Sequence, residues 1–136
     1  MKKLLLVDDN DKYARLLSEY FTPLGYEIER AVNASEGLEL FSKNEKKHFD
    51  VIVTDITMES QLAGIFMIRK IHKMGFAGIS VIASTGFDVP MGMFFSRLFL
   101  RPYGVDYLVP KTSVIKKTPL FYSMKGSSRP LEIFPA

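Results

Sequence analysis

Four short apolar runs in this chain end on residues that can bind metal ions and phosphoryl groups. Residues 4–7 are followed by two acids and residues 51–53 lead to another, while two later runs end on a hydroxyl pair and on a lysine. The polar residues concerned are Asp8, Asp9, Asp55, Ser84, Thr85 and Lys111. Clustered carboxylates repel one another, and oxygen ligands select Mg²⁺ or Mn²⁺ over zinc. A lysine and a hydroxyl bind phosphoryl oxygens, so we expect a phosphoryl site with Asp55 as its nucleophile.

These residues can act together only if the chain forms a sheet of parallel strands. The run at 51–53 is uniformly apolar and β-branched, which is typical of a central strand that is covered on both faces. The sequence predicts strands at 3–7, 26–32, 50–55, 79–84 and 105–109, with helical segments between them. Because parallel strands carry their carboxyl ends at one edge of the sheet, the acids, the hydroxyl and the lysine should meet there.

Helix signals separate the predicted strands. Asn10 or Asp11 can cap a first helix that stops at Gly25, and Asn33 with Glu36 forms a capping box for a second helix. A third helix is predicted over about 62–74, whereas prolines and a glycine should shorten or kink a fourth one over 91–101. The alternation of strands and helices predicts an α/β fold with a doubly wound parallel sheet.

Length and composition describe one globular domain. The chain has 136 residues, of which 47% are apolar and 24% charged, and it contains no cysteine. No apolar run approaches the ~18 residues of a membrane span, so we expect no such span and a cytoplasmic location. The net charge is +3 and the segment after residue 110 is basic. No nucleic-acid-binding motif accompanies those charges, so direct binding of nucleic acid is not expected.

Four motifs, at residues 5–9, 50–58, 81–86 and 104–111, resemble the receiver domain of two-component response regulators of the chemotaxis-regulator type. The resemblance covers about residues 2–111. It implies that Asp55 accepts a phosphoryl group from a sensor histidine kinase or a phosphotransfer protein. It also implies that Mg²⁺ (or Mn²⁺) is held by Asp8, Asp9, Asp55 and the backbone carbonyl of Thr57, and that the phosphoryl oxygens are contacted by Thr85 and Lys111.

The same resemblance implies a switch that controls a downstream protein partner. Thr85 would move towards the phosphoryl group, and the aromatic switch residue of the fifth strand falls on Leu108. Tyr107 lies next to it but should face the other side of the sheet. The proline usual shortly after the phosphoacceptor is absent, since Met58 is followed by Glu59. These departures lie on the surface that binds partners, so we expect retained phosphoryl chemistry with an unusual output surface.

Residues 112–136 do not continue the family pattern. Prolines and a Gly-Ser-Ser segment exclude the long helix that would close such a domain. We therefore divide the chain into a receiver domain, 1–111, and a basic C-terminal tail, 112–136, which is a hairpin, a swap element or a linker. The tail or a second subunit should cover the sheet face left by the missing helix, which makes a homodimer through the tail one expectation. The full prediction is a flavodoxin-like, five-stranded parallel sheet of order 2-1-3-4-5, with the final helix absent or replaced.

Other functions fit parts of the pattern. A receiver-like module could bind partners without being phosphorylated, which agrees with Glu59 and Leu108. An aspartyl phosphatase needs a second acid two residues after its nucleophile, and this position is Thr57, so the chain is expected not to be an enzyme that turns over external substrates. At single positions, the first acid pair could merely cap a helix, Lys111 could be a surface lysine and Ser84 could take the place of Thr85. The chain's histidines, His48 and His72, are expected to be surface residues.

Overall fold

The computed structural model describes residues 2–44, 48–55, 63–84, 104–123 and 130–131, the last two and residue 84 by their backbone alone. Its strands are β1 (Lys2–Val7), β2 (Tyr26–Ala31), β3 (Val51–Asp55), β4 (Ile79–Ser84), β5 (Tyr107–Pro110), β6 (Phe121–Ser123) and β7 (Pro130–Leu131). These seven strands form one sheet in the order β2-β1-β3-β4-β5-β6-β7. The first five are mutually parallel, which confirms the predicted doubly wound fold and the strand order 2-1-3-4-5.

The sheet is larger than the five strands predicted from the sequence. β6 pairs antiparallel with β5, where Leu108 lies opposite Tyr122, and β7 pairs antiparallel with β6. Two strands of the tail segment thus extend the sheet beyond β5. The division of the chain at residue 111 stays a prediction, because sheet pairing alone defines no domain boundary.

Four α-helices lie in the described residues: α1 (Asp11–Phe21), α2 (Ala34–Ser42), α3 (Ala63–Lys73) and α4 (Lys111–Ile115). Asn10 caps α1 by accepting a hydrogen bond from the Tyr13 amide at 3.1 Å, and Asn33 caps α2 in the same way. A 3-10 turn, Thr22–Leu24, continues α1 to Gly25, whose φ of +95° lies in the left-handed region that glycine favours. The predicted helix at 91–101 lies outside the described residues.

Alternating side chains of the parallel strands pack on the two faces of the sheet. One face packs on α2 and α3 and includes Leu5, Ile52 and Leu108, whereas the other packs on α1 and α4 and includes Leu4 and Val53. Tyr107 packs on the α1 side and Leu108 on the α3 side, as expected for neighbours in a strand. Both faces of the central strands are therefore covered, which is why these strands are uniformly apolar.

A short helix and a strand replace the long helix that would close such a domain. α4 has five residues, and its Val114 is buried against the α1 side of the sheet together with Phe121 of β6. The Phe121 ring lies 6.1 Å from the Phe21 ring and 5.8 Å from the Tyr20 ring, measured between centroids. The segment after residue 111 therefore covers part of the face left by the missing helix, which is one of the two expectations from the sequence. None of the described helices is long and apolar enough to cross a bilayer.

Candidate functional site

The register of the sheet brings the acids together. Val7 of β1 lies opposite Thr54 of β3, so the residues that follow them, Asp8 and Asp55, leave neighbouring strands at the same edge. Ser84 and Pro110 are paired one strand further along, which puts Lys111 at that edge as well. Residues that are far apart in the sequence are thus neighbours because their strands run parallel.

The acids form a compact cluster that is mostly buried. Carboxylate oxygens of Asp8, Asp9 and Asp55 all lie within 4.8 Å of one another. Asp8 is 0% exposed and Asp55 3% exposed, whereas Asp9 lies at the surface. Lys111, itself 6% exposed, places its Nζ 3.1 Å from Asp55 Oδ2 and 3.9 Å from Asp8 Oδ2. We name Asp8, Asp9, Asp55 and Lys111 the acidic pocket.

Asp8 shows the electrostatic strain in this pocket. The pKa of Asp8 is raised from 3.8 to about 6, mainly by burial and to a smaller extent by the charges of Asp55 and Asp9. The hydrogen bond from the Asn10 amide and the charge of Lys111 lower this pKa and offset part of the rise. Asp8 Oδ1 accepts a hydrogen bond from the Asn10 amide at 2.8 Å. Asp8 Oδ2 is fully buried and accepts none from any residue that the structure describes.

These properties fit a divalent cation. A buried carboxylate oxygen without a hydrogen bond is costly unless a ligand satisfies it. The oxygens of the acid cluster lie close enough for one ion to contact all of them, and they are hard ligands of the kind that Mg²⁺ prefers. The acidic pocket therefore has both the ligands and the unsatisfied negative charge that such an ion requires.

Lys111 is placed by the unusual C-terminal segment. It is the first residue of α4, directly after Pro110, the last residue of β5. The Ser113 hydroxyl donates to the Pro110 carbonyl at 2.6 Å and accepts from the Leu120 amide at 3.2 Å. Two residues after the lysine, a buried side chain therefore links the end of β5 to the residue that precedes β6.

The loop that carries Asp8 and Asp9 is held from the neighbouring strand. Arg30, near the end of β2, donates from Nε and Nη2 to the backbone carbonyl of Asp8 at 3.2 and 3.0 Å. Its Nη1 lies 2.8 Å from Asp11 Oδ1 in the first turn of α1. Arg30 thus joins three elements around the pocket. It could not be recognised from the sequence, because β2 has mixed polarity and Arg30 belongs to no motif.

Gly64 is required by a close approach at the end of β3. A Cβ built at this position would lie 2.6 Å from the backbone carbonyl of Asp55 and 3.1 Å from Thr54 Oγ1. Contacts this short force a shift of the backbone, so any side chain here would displace Asp55. The start of α3 therefore packs directly against the pocket.

Several predicted site residues lie outside the described part of the chain. Thr57, Thr85 and the Ser84 side chain are among them, so their roles stay predictions. The described members are Asp8, Asp9, Asp55 and Lys111, which meet in the pocket, and Leu108, which is fully buried on the α3 side. Lys111 is not a surface lysine, because it is buried and paired.

His48 and His72 are expected to be surface residues rather than ligands, and both side chains are partly exposed and make polar contacts. His48 is half-buried, and its Nε2 lies 2.8 Å from Glu29 Oε2 on β2. His72 is half-buried at the end of α3, and its Nε2 lies 2.9 Å from the hydroxyl of Ser80, which is fully buried in β4. The metal-ligand cluster found among the described residues contains neither of them.

Comparison with known proteins finds the same sequence pattern elsewhere. The response regulator receiver domain, as a family, matches residues 4–98. The transcriptional regulatory protein CpxR homolog of Haemophilus influenzae is 29% identical over 111 residues, which cover 82% of this chain and 44% of that protein. The sensor histidine kinase RcsC of Escherichia coli is 31% identical over 72 residues, covering 53% of this chain and 7% of that protein. The chain thus spans less than half the length of these curated relatives.

A solved structure has the same fold. The receiver domain of the Francisella response regulator 1452 aligns with a TM-score of 0.68 at 26% sequence identity, covering 85% of this chain and 89% of that one. The match to the family pattern ends at residue 98, before Lys111 and before the strands that extend the sheet.

Proposed function

The chain belongs to the response regulator receiver domain family, and from this premise we propose that it is a phosphoacceptor in which Asp55 takes up a phosphoryl group in a Mg²⁺-dependent reaction. Receiver domains are signalling domains of two-component systems, which operate with histidine kinases. The phosphodonor of this chain is a sensor histidine kinase or a phosphotransfer protein, and the signal passes to a downstream protein partner. In this proposal the protein acts in the cytoplasm and turns over no external substrate.

The observation that carries this proposal is the Lys111–Asp55 contact inside the acid cluster. The lysine ammonium lies 3.1 Å from the carboxylate of Asp55, and two further carboxylates lie within 4.8 Å. In the proposal Asp55 is both the nucleophile and a ligand of a cation. An acid with both roles needs charged groups close to its carboxylate, here an ammonium and two further carboxylates. Burial of the lysine is costly, and its ion pairs with the acids offset that cost.

The chemistry is the transfer of a phosphoryl group from the donor to the carboxylate of Asp55. A carboxylate oxygen of Asp55 forms a bond to phosphorus while the bond from phosphorus to the donor's nitrogen or oxygen breaks, and the electron pair leaves with the donor. Lys111 offsets negative charge on the phosphoryl oxygens, and Thr85 donates a hydrogen bond to one of them. Mg²⁺ held by Asp8, Asp9, Asp55 and the carbonyl of Thr57 would supply the positive charge that lets an anionic donor approach.

The consequence of phosphorylation is a change of the partner-binding surface. Thr85 moves to the phosphoryl group, and Leu108 fills the place of the family's aromatic switch. Leu108 is fully buried and aliphatic, so it has little freedom to change its exposure. That observation favours a second candidate function, a receiver-like interaction module that is not phosphorylated.

Tail residues 112–136 offer one route to a homodimer, both for a phosphoacceptor and for an interaction module.

The test is exposure of the protein to acetyl phosphate with Mg²⁺, followed by intact-mass measurement. We expect the wild type to gain the mass of one phosphoryl group and to lose it after treatment with hydroxylamine. No mass gain is expected when a chelator removes Mg²⁺ before the phosphodonor is added. Asp55→Asn should gain nothing. Asp50→Asn is the matched control, since this exposed acid precedes the same strand at its other end. An unmodified wild type would refute the phosphoacceptor and leave the interaction module.

A further inference from the structure

The ammonium group of Lys111 has a neighbour that carries no charge. Its Nζ lies over the ring of Tyr13, 4.2 Å from the ring centroid. This distance is well inside the range of a cation–π contact, which is strongest where water is excluded. Because Lys111 is buried, the contact is of the strong kind. The ammonium is therefore held between a carboxylate on one side and an aromatic face on the other.

Tyr13 is itself fixed relative to the acid loop. It lies in the first turn of α1, and its amide donates to Asn10 Oδ1, two residues after Asp8. The ring is half-buried and packs against the α1 side of the core. The backbone of Tyr13 is thus linked to the loop that carries Asp8 and Asp9, whereas Lys111 comes from a different part of the chain at the start of α4.

The ring and the carboxylates hold Lys111 in different ways. A divalent cation bound by Asp8 and Asp55 withdraws negative charge from the same oxygens that attract the lysine. The ring offers no oxygen ligand from its face, and its attraction for an ammonium comes from the quadrupole of its π-system. The attraction of the Tyr13 ring for the ammonium would thus not be weakened in this way if the carboxylates held a metal ion.

We propose that Tyr13 is a positioning residue that holds the Lys111 ammonium in the acidic pocket while the phosphoryl group is transferred. This role rests on the proposed phosphoacceptor function of Asp55. Tyr13 touches neither of the reacting atoms; it acts through the lysine. Its phenol oxygen is not needed, because the ring face supplies the attraction.

The test compares variants that keep or remove the ring. Tyr13→Phe keeps the aromatic face, whereas Tyr13→Leu and Tyr13→Met replace it by apolar side chains that can still pack on the core. Tyr20→Leu is the matched control, a half-buried tyrosine on the same helix whose ring contacts Phe21 and Phe121. A cooperative thermal unfolding transition shows that a variant is folded. If Tyr13→Leu is not folded, Tyr13→Met takes its place in the comparison.

Two readouts are combined. In NMR spectra of protein with Mg²⁺, the ring current of Tyr13 displaces the Cε and Hε signals of Lys111; we expect this displacement in the wild type, Tyr13→Phe and Tyr20→Leu, and its loss in Tyr13→Leu. The rate constant for phosphorylation by acetyl phosphate should fall about tenfold in Tyr13→Leu and stay near the wild-type value in Tyr13→Phe. This rescue by phenylalanine is not expected of a tyrosine that acts through its hydroxyl.

The outcomes separate the two proposals. A wild type that is not phosphorylated overturns the proposed function and the transfer role of Tyr13 together, and the NMR displacement then still reports whether the ring binds the lysine. A phosphorylated wild type whose Tyr13→Leu variant keeps its rate, or keeps the Lys111 signals unchanged, overturns the positioning role alone. An equal loss of rate in Tyr13→Phe does so as well.

Discussion

Replacement of Asp8 by asparagine should stabilise the metal-free protein. Asp8 is fully buried, and its ionised form is disfavoured mainly by that burial. Asparagine has nearly the same shape, and its side-chain oxygen can still accept the hydrogen bond that the Asn10 amide now donates at 2.8 Å. The substitution removes a buried negative charge and the long ion pair with Lys111, and it keeps the hydrogen bond from the Asn10 amide.

The magnitude follows from the pKa of Asp8. This pKa is about 6 in the folded protein, against an ordinary value of 3.8, so between these pH values the folded state binds more protons than the unfolded state. The free energy of unfolding therefore falls as the pH rises through this window, and above pH 6 the full cost is present. At about 1.4 kcal/mol per pKa unit the cost is about 3 kcal/mol, which corresponds to a rise in Tm of about 10 °C for Asp8→Asn.

Urea denaturation measures this effect. With a chelator at pH 7.5, Asp8→Asn should unfold at a higher urea concentration than the wild type, and at about pH 4 the two proteins should become nearly equal. Mg²⁺ should raise the stability of the wild type much more than that of Asp8→Asn, because the variant lacks a ligand. Glu19→Gln, which also removes one acid but an exposed one, should change stability by less than about 0.5 kcal/mol. Lower stability of Asp8→Asn at pH 7.5, or an advantage that does not depend on pH, would refute the reasoning.

The remaining predictions concern the contacts that hold the pocket and the extended sheet. Arg30→Met should lower the free energy of unfolding by about 1–3 kcal/mol and weaken Mg²⁺ binding, because the Asp8 carbonyl loses both hydrogen bonds; calorimetric titration and urea denaturation measure this, with the exposed Arg15→Met as the control. Equal behaviour of these two variants would contradict the role of Arg30. Phe121→Ala should cost about 3–5 kcal/mol because this ring is 2% exposed, whereas Leu120→Ala, at a side chain that is 38% exposed, should cost far less. A stable Phe121→Ala would mean that β6 does not contribute to the core.

The site could be predicted from the sequence wherever strand ends decide the position of a residue. The uniformly apolar strands identify the sheet as parallel, and parallel strands carry Asp8, Asp55 and Lys111 to one edge whatever the details of packing. The helix caps Asn10 and Asn33 can also be predicted from the sequence, because each depends only on a side-chain oxygen and on the backbone amide three residues further on.

The residues that hold the site could not be predicted in the same way. Arg30 acts across two strands, and its signal, a long cation at the carboxyl end of the neighbouring strand, has meaning only once the strand order is known. Tyr13 fits the apolar stripe of its helix, and its contact with Lys111 depends on where a distant helix begins. The turn-like sequence at 125–128 predicted a hairpin as one possibility. The pairing of β6 with β5, which joins this hairpin to the sheet, depends on tertiary structure and is not determined by the local sequence.

The position of Lys111 depends on residues that follow it in the chain. Ser113 connects the carbonyl of Pro110 to the amide of Leu120, so the segment between them is closed into a loop by one buried hydroxyl. Residues 115–118 in that loop are exposed. A protease that cuts there would separate the helix that carries Lys111 from β6 and β7 and would leave every acid of the pocket in place. The change in the pocket's properties after such a cut would show how strongly the position of Lys111 depends on the end of the chain.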